Sequence, residues 1–231
     1  MRHKKRRSLS YLRRTTAQLS LRTNMRRGAL IVFEGADKAG KTTQCAELYF
    51  ALRQLGIPVA RIAFPLRDPQ SPLSSTIMTC LNGEAKLHPY SEALLFAAER
   101  FTKQKEITDA LEAGMTVLID RYLFSGIAYA SAAGVGRKFC FDINYGLLMP
   151  DLVILLDSTV DLFAERKLDL HEQPGNVGVQ RIVISEYKDL AQPEWLVLDA
   201  SEPSSELRDA ILRRALSIIY TVADLKTFQK K

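Results

Sequence analysis

Cysteine is scarce in this chain of 231 residues, and histidine is equally so. Cys45, Cys80 and Cys140 are odd in number and scattered, which argues against a disulfide framework and suggests a reducing compartment. His3, His88 and His171 lack the spacing of metal ligands, so no structural zinc is expected. No apolar run approaches the roughly 20 residues that a membrane span needs, so no membrane partner is expected. Acid is missing from one place. Residues 1–27 hold ten Lys or Arg and no Asp or Glu. The net charge of +6 is therefore a property of this tail, because the remaining residues carry 22 basic against 26 acidic side chains, a net of −4. A basic balance of that origin does not argue for nucleic-acid binding, and no nucleic-acid partner is expected.

What is present is globular. Hydrophobic residues make up 47% of the chain and charged residues 25%, and the length suits one α/β domain with ample core. No repeat or interdomain linker is visible. The chain divides into a basic extension, 1–27, expected to lie outside the fold, and one domain, 28–231. The extension has three readings. Its Arg-rich, acid-free composition resembles a mitochondrial transit peptide. Lys4-Lys5-Arg6-Arg7 reads as a nuclear-localisation cluster. Met25 reads as an alternative start. The expected location is the cytoplasm, or the mitochondrion if 1–27 is a transit peptide, with the nucleus behind both.

The domain is organised around residues 29–43. An apolar run, Leu30 to Phe33, reads as a buried parallel strand. The spacing G-x-x-x-x-G-K-[ST] follows as Gly35, Gly40, Lys41 and Thr42, and helical periodicity begins at Thr43. Strand, glycine loop and helix together are the context of a phosphate-binding P-loop. Its glycines let backbone N–H groups turn toward a polyphosphate, and the helix N-terminus adds partial positive charge. Lys41 would reach the β- and γ-phosphates, and the Thr42 hydroxyl would hold Mg²⁺.

Further strands are predicted at Val59–Phe64, Thr116–Ile119, Leu152–Leu156 and Trp195–Leu198. Helices are predicted at 71–82, Pro89–Glu112, from Leu123, at 139–148, Val160–Lys167, Val177–Ala191 and 204–225. Strand alternates with helix, so the expected fold is a five-stranded parallel sheet with helices on both faces and a short LID loop near 168–176. Such sheets bind ligands beyond the carboxyl ends of their strands. Asp37 in the P-loop, Phe64-Pro65-Leu66-Arg67 after strand two, and Asp120-Arg121-Tyr122 with Ser125-Gly126 after strand three should then meet in one crevice.

Four motifs in this order resemble the thymidylate kinase family: the P-loop segment from Gly28, Phe64-Pro65-Leu66-Arg67, Leu95-Phe96-Ala97-Ala98-Glu99-Arg100, and Asp120-Arg121-Tyr122 leading to Ser125-Gly126. The resemblance runs from about Gly28 to the C-terminus. It implies transfer of the γ-phosphoryl group of ATP to dTMP, with Mg²⁺, in a homodimer formed through helices on one side of the sheet. ATP would be held by Gly35, Lys38, Ala39, Gly40, Lys41, Thr42 and Thr43, with Arg166 near the adenine. Asp120 would hold Mg²⁺ with Thr42, largely through water. Lys41 and Arg121 would neutralise the transferring group, and Arg67 would clamp the acceptor phosphate. Asp37 would face the acceptor's 3′-hydroxyl. Phe96 would stack on the base and Arg100 would bond its edge. Phe64, Ser125, Gly126 and Tyr129 complete the expected acceptor site, with Ile77 and Gln180 as further pocket candidates.

The chain departs from the family pattern in two loops. Lys38 follows the P-loop acid where Arg is common, and Gln173 stands where a LID Arg could be expected. Lys38 is therefore expected to substitute for a missing catalytic arginine, keeping the charge without the planar fork. Four rivals remain. A deoxynucleoside kinase would need a carboxylate base just after strand two, where Arg67 lies instead. A mitochondrial pyrimidine nucleotide kinase is kept alive by residues 1–27. A switch GTPase lacks its Asn-Lys-x-Asp motif here. A non-enzymatic P-loop scaffold is supported only by the two departures.

Overall fold

The computed structural model of the chain describes residues 27–168 and 177–225. The extension up to residue 26, and the LID segment with Gln173, lie outside the described residues. The sheet consists of β1 (Leu30–Glu34), β2 (Val59–Ala63), β3 (Thr116–Asp120), β4 (Leu152–Asp157) and β5 (Leu196–Asp199). The strands are all parallel, in the order β2-β3-β1-β4-β5. The three central strands read LIVFE, TVLID and LVILLD and are buried almost end to end, as strands covered on both faces should be. The edge strands β2 and β5 are only partly covered.

Side-chain alternation splits the core in two. Leu30, Val32, Val117, Ile119, Val153 and Leu155 face one side, with Ile107, Ile127, Val183 and Tyr187 packed over them. Ile31, Phe33, Leu118, Ile154 and Leu156 face the other, under Cys45, Leu48, Leu207 and Ile211. The helices that supply these residues are α1 (Lys41–Gln54), α4 (Gln104–Glu112), α5 (Leu123–Ala132), α8 (Val177–Leu190) and α9 (Ser204–Leu225). The rest are α2 (Pro72–Leu81), α3 (Pro89–Thr102), α6 (Arg137–Asp142) and α7 (Val160–Leu168).

Two helix predictions need correction. The expected single helix Pro89–Glu112 is two helices, α3 and α4, which part at Lys103. There the chain makes a tighter bond, Lys103 N–H to Arg100 C=O at 3.2 Å, and the Thr102 hydroxyl donates to Glu99 C=O at 2.7 Å. The break lets Ile107 and Leu111 of α4 pack into the core over β3 while α3 leans onto α5. The helix expected at 139–148 is α6, which begins at Arg137 and ends at Asp142. Beyond it the backbone closes i to i−3 turns at Asn144 and Tyr145 and reaches Gly146 at φ +95°. Phe64 and Trp195, expected inside strands, fall one residue outside β2 and β5, a difference within the ordinary fraying of element ends.

The fold fixes the site through one register. Phe33 lies opposite Asp120 across the β1–β3 pair. Both strands therefore end at the same level, and the loops that follow them leave the sheet side by side.

Candidate active site

The loop after β1 is bent by residues with positive φ: Gly35 at +139°, Lys38 at +60° and Gly40 at +96°. Gly35 has no room for a side chain, since a Cβ there would lie 2.5 Å from the Leu156 carbonyl oxygen. Gly40 starts α1 without a side-chain cap, which leaves the first-turn amides for a ligand. Lys41 is buried, and its Nζ donates to the Ala36 carbonyl at 2.5 Å. The Thr42 hydroxyl donates to Asp120 Oδ2 at 2.6 Å. The other oxygen of Asp120, Oδ1, is buried without a hydrogen-bond partner among the described residues.

Arg121 follows β3 at φ +65°, a conformation that costs a non-glycine residue about 1–2 kcal/mol. Its amide donates to Phe33 C=O at 2.9 Å. The left-handed turn aims the guanidinium across the P-loop. There it pairs with the Asp37 carboxylate, reaches Gly35 C=O at 3.4 Å and lies 5.4 Å from the centre of the Tyr129 ring. Gln180 of α8 fixes Asp37 from the other side, accepting from its amide at 3.1 Å and donating to Oδ2 at 2.7 Å. Burial alone would raise the Asp37 carboxyl, but Arg121 and Lys41 together hold it below the usual carboxylate range. Burial, followed by the neighbouring Arg121, pushes Lys41 down to about 7. Arg166 of α7 ties the site's flank, donating to Lys38 C=O at 2.8 Å and Ala200 C=O at 2.7 Å.

These groups open into one cleft of about 1270 Å³. Lys38, Gly40, Lys41, Thr42, Thr43 and Arg166 line one end. Phe64, Arg67, Phe96, Arg100, Ser125, Gly126, Tyr129 and Gln180 line the rest, with Asp37 and Arg121 between. The sequence-predicted residues are thus brought together with few exceptions. Ile77 is fully buried and is not among the lining residues, whereas the next residue, Met78, is. Gly35 and Ala39 support the loop from beneath, also outside the lining. Asp120 meets the site through Thr42.

Three buried polar residues that the sequence reading did not single out hold the walls. Glu34, wholly buried at the end of β1, accepts from the amides of Tyr122 and Ser125, the Ser125 hydroxyl at 2.5 Å and the Tyr187 hydroxyl at 3.0 Å. It so fixes the start of α5 beneath Arg121. Burial raises its carboxyl above the usual range, against those hydrogen bonds. Glu99 of α3 accepts from the Leu66 amide at 3.0 Å and the Ser74 hydroxyl at 2.8 Å, which anchors the loop carrying Arg67. Asn144 accepts from Arg100. The signal for Glu34 and Glu99 was an acid on an otherwise apolar strand end or helix face; Asn144 gave none.

A P-loop at the head of a parallel sheet, with four arginines and a buried lysine lining one cleft, defines an ATP-dependent nucleotide kinase. Comparison with known proteins agrees. The model of the family described as thymidylate kinase matches residues 33–211. A thymidylate kinase from Arabidopsis thaliana is 36% identical over 185 residues, which is 80% of this chain and 70% of the relative. One from Danio rerio is 35% identical over 198 residues, 84% and 92% of the two chains. The chain belongs to the thymidylate kinase family.

The depressed Lys41 makes a prediction with a definite sign. At pH 8 the amine of the ligand-free protein is mostly neutral, and an anionic polyphosphate favours its charged form. ATP binding at pH 8 should therefore take up a proton. Calorimetric titration in buffers of different ionisation enthalpy should show that uptake, and the Lys41→Met variant should lose it. Binding without proton exchange in the unaltered protein would refute it.

Proposed function

We infer that this chain transfers the γ-phosphoryl group of ATP to dTMP, giving dTDP and ADP. The observation that carries the reading is the cationic floor of the cleft. Arg67 after β2 and Arg121 after β3 line the same cleft as Lys41. Two anions can therefore meet over it, a triphosphate at the P-loop and a monophosphate toward Arg67. An acceptor phosphate is already ionised, so it needs a clamp and alignment more than a base. Lys41 and Arg121 would neutralise the transferring group, while Asp37 orients Arg121 and faces the acceptor sugar. Phe96 and Arg100 would take the base by stacking and by its edge.

Mg²⁺ fits the residues present. The buried Oδ1 of Asp120, without a partner among the described residues, and the Thr42 hydroxyl beside this carboxylate are hard oxygen donors. Among the described residues no group of three or more His, Cys, Asp or Glu could hold a metal by itself. The ion would therefore be shared with phosphate oxygens and water, as Mg²⁺ usually is. Held there by Asp120 and Thr42, it would supply charge neutralisation to the polyphosphate.

A coupled ADP-release assay with dTMP, dUMP, UMP, CMP and thymidine tests the acceptor. dTMP should be preferred and thymidine inert. Arg67→Ala should raise KM for dTMP about tenfold or more, by loss of a charge-assisted contact, and leave KM for ATP nearly unchanged. Turnover of thymidine in preference to dTMP would overturn the reading, and no turnover with any acceptor would favour a scaffold.

Lys38 stands in the P-loop where an arginine would supply a planar fork, and it would take over that role with a point charge. Lys38→Arg should then raise kcat. An equal or lower kcat removes Lys38 from this role.

A homodimer is consistent with the α3 surface, where Tyr90, Leu94 and Phe101 are exposed at helical spacing. Light scattering at micromolar concentration should give twice the chain mass, and Leu94→Glu should halve it. A monomer in the unaltered protein would rule the dimer out.

A further inference from the structure

Arg100 is only 3% exposed, and a cation so far from water needs partners. No carboxylate among the described residues bonds to it directly, although the charges of Glu34 and Glu99 act on it from farther off. Among the described residues its hydrogen bonds run from Nε at 3.1 Å and Nη2 at 2.9 Å to one oxygen, Oδ1 of Asn144. Asn144 is itself buried, in the turn after α6, and its amide nitrogen donates to Cys140 C=O at 2.7 Å. That bond decides which end of the amide faces Arg100. The guanidinium also lies close against the α5 backbone at Gly126, where a Cβ would fall 2.5 Å from Nη2 and 2.9 Å from Nη1. One edge and one side of the group are thereby taken. A guanidinium has five N–H donors and no acceptor. The donors not spent on Asn144 are left for the cleft that Arg100 and Phe96 line.

We propose that Asn144 is a specificity-positioning residue, whose side-chain oxygen holds Arg100 as a donor-only reader of the pyrimidine edge. The proposal rests on the dTMP reading above. Thymine offers an acceptor oxygen, O4, where cytosine carries an amino donor. Donors facing that amino group would leave buried polar atoms unpaired on both sides, which discriminates far better than a difference in shape. A guanidinium not fixed by Asn144 could swing away and lose both the contact and the discrimination.

Steady-state kinetics with dTMP and dCMP on the full chain test this. Asn144→Leu removes the oxygen at similar volume. It should raise KM for dTMP about tenfold, with kcat within about twofold, and lower the dTMP-over-dCMP preference in kcat/KM about tenfold. Asn144→Asp loses the bond to Cys140 but keeps an oxygen for Arg100, and should recover most of both losses. A merely structural Asn144 would instead leave the two variants equally impaired, because both lose the Cys140 bond. Should the leucine variant fail to melt cooperatively, Asn144→Ser, too short to reach Arg100, takes its place. A wild-type KM and preference in the leucine or serine variant, or an aspartate variant as impaired as leucine, overturns the proposal. An unaltered chain that does not phosphorylate dTMP refutes the acceptor reading itself, which is a separate outcome.

Discussion

The hydrogen bond from the Arg121 amide to the Phe33 carbonyl, just beyond the paired ends of β1 and β3, is the joint on which the site turns. It holds two loops level as they leave the sheet. One loop carries Asp37 and leads to Lys41 and Thr42 at the start of α1, and the other leaves Asp120, carries Arg121 and leads to Ser125 in α5. With the loops level, Thr42 reaches Asp120 and Arg121 reaches Asp37. The left-handed Arg121 is the cost of that geometry, about 1–2 kcal/mol of backbone strain. Extended backbone at Arg121 would carry the guanidinium onward with the strand instead of back across the P-loop.

Around this joint the protein spends buried polar groups to fix its walls. Glu34 gathers four donors under α5, Glu99 anchors the Arg67 loop, and Asn144 holds Arg100. Burying a polar group costs free energy unless its hydrogen bonds are made, and here they are made. Such networks give orientation more than stability. That matters for a reaction whose catalysis is mostly alignment and charge neutralisation. The cleft is therefore lined by cations, with the oxygens that hold them behind.

Much of this was legible in the chain. Continuous apolar runs identified β1, β3 and β4 because both faces of each are covered, and Asp120-Arg121 at the end of β3 was read as part of the site because ligands bind beyond the carboxyl ends of such strands. The P-loop spacing was legible because glycine, lysine and threonine must follow one another closely in sequence to surround one phosphate. The run Pro89–Glu112 misled, since its apolar spacing continues through Lys103 while the backbone does not. Ile77 misled because one apolar residue on a helix is much like the next, and only packing decides that Met78 faces the cleft.

The sequence by itself determined the elements, their alternation and the phosphate-binding loop, because these depend on neighbours within a turn or two of chain. Tertiary structure alone decided which strand lies beside β1, and so which loop delivers its arginine to the P-loop. It also decided that Asn144, forty-four residues from Arg100, is the group that holds it. Contacts of that kind join residues whose separation leaves no periodicity to read. They exist only once the sheet has set the distances.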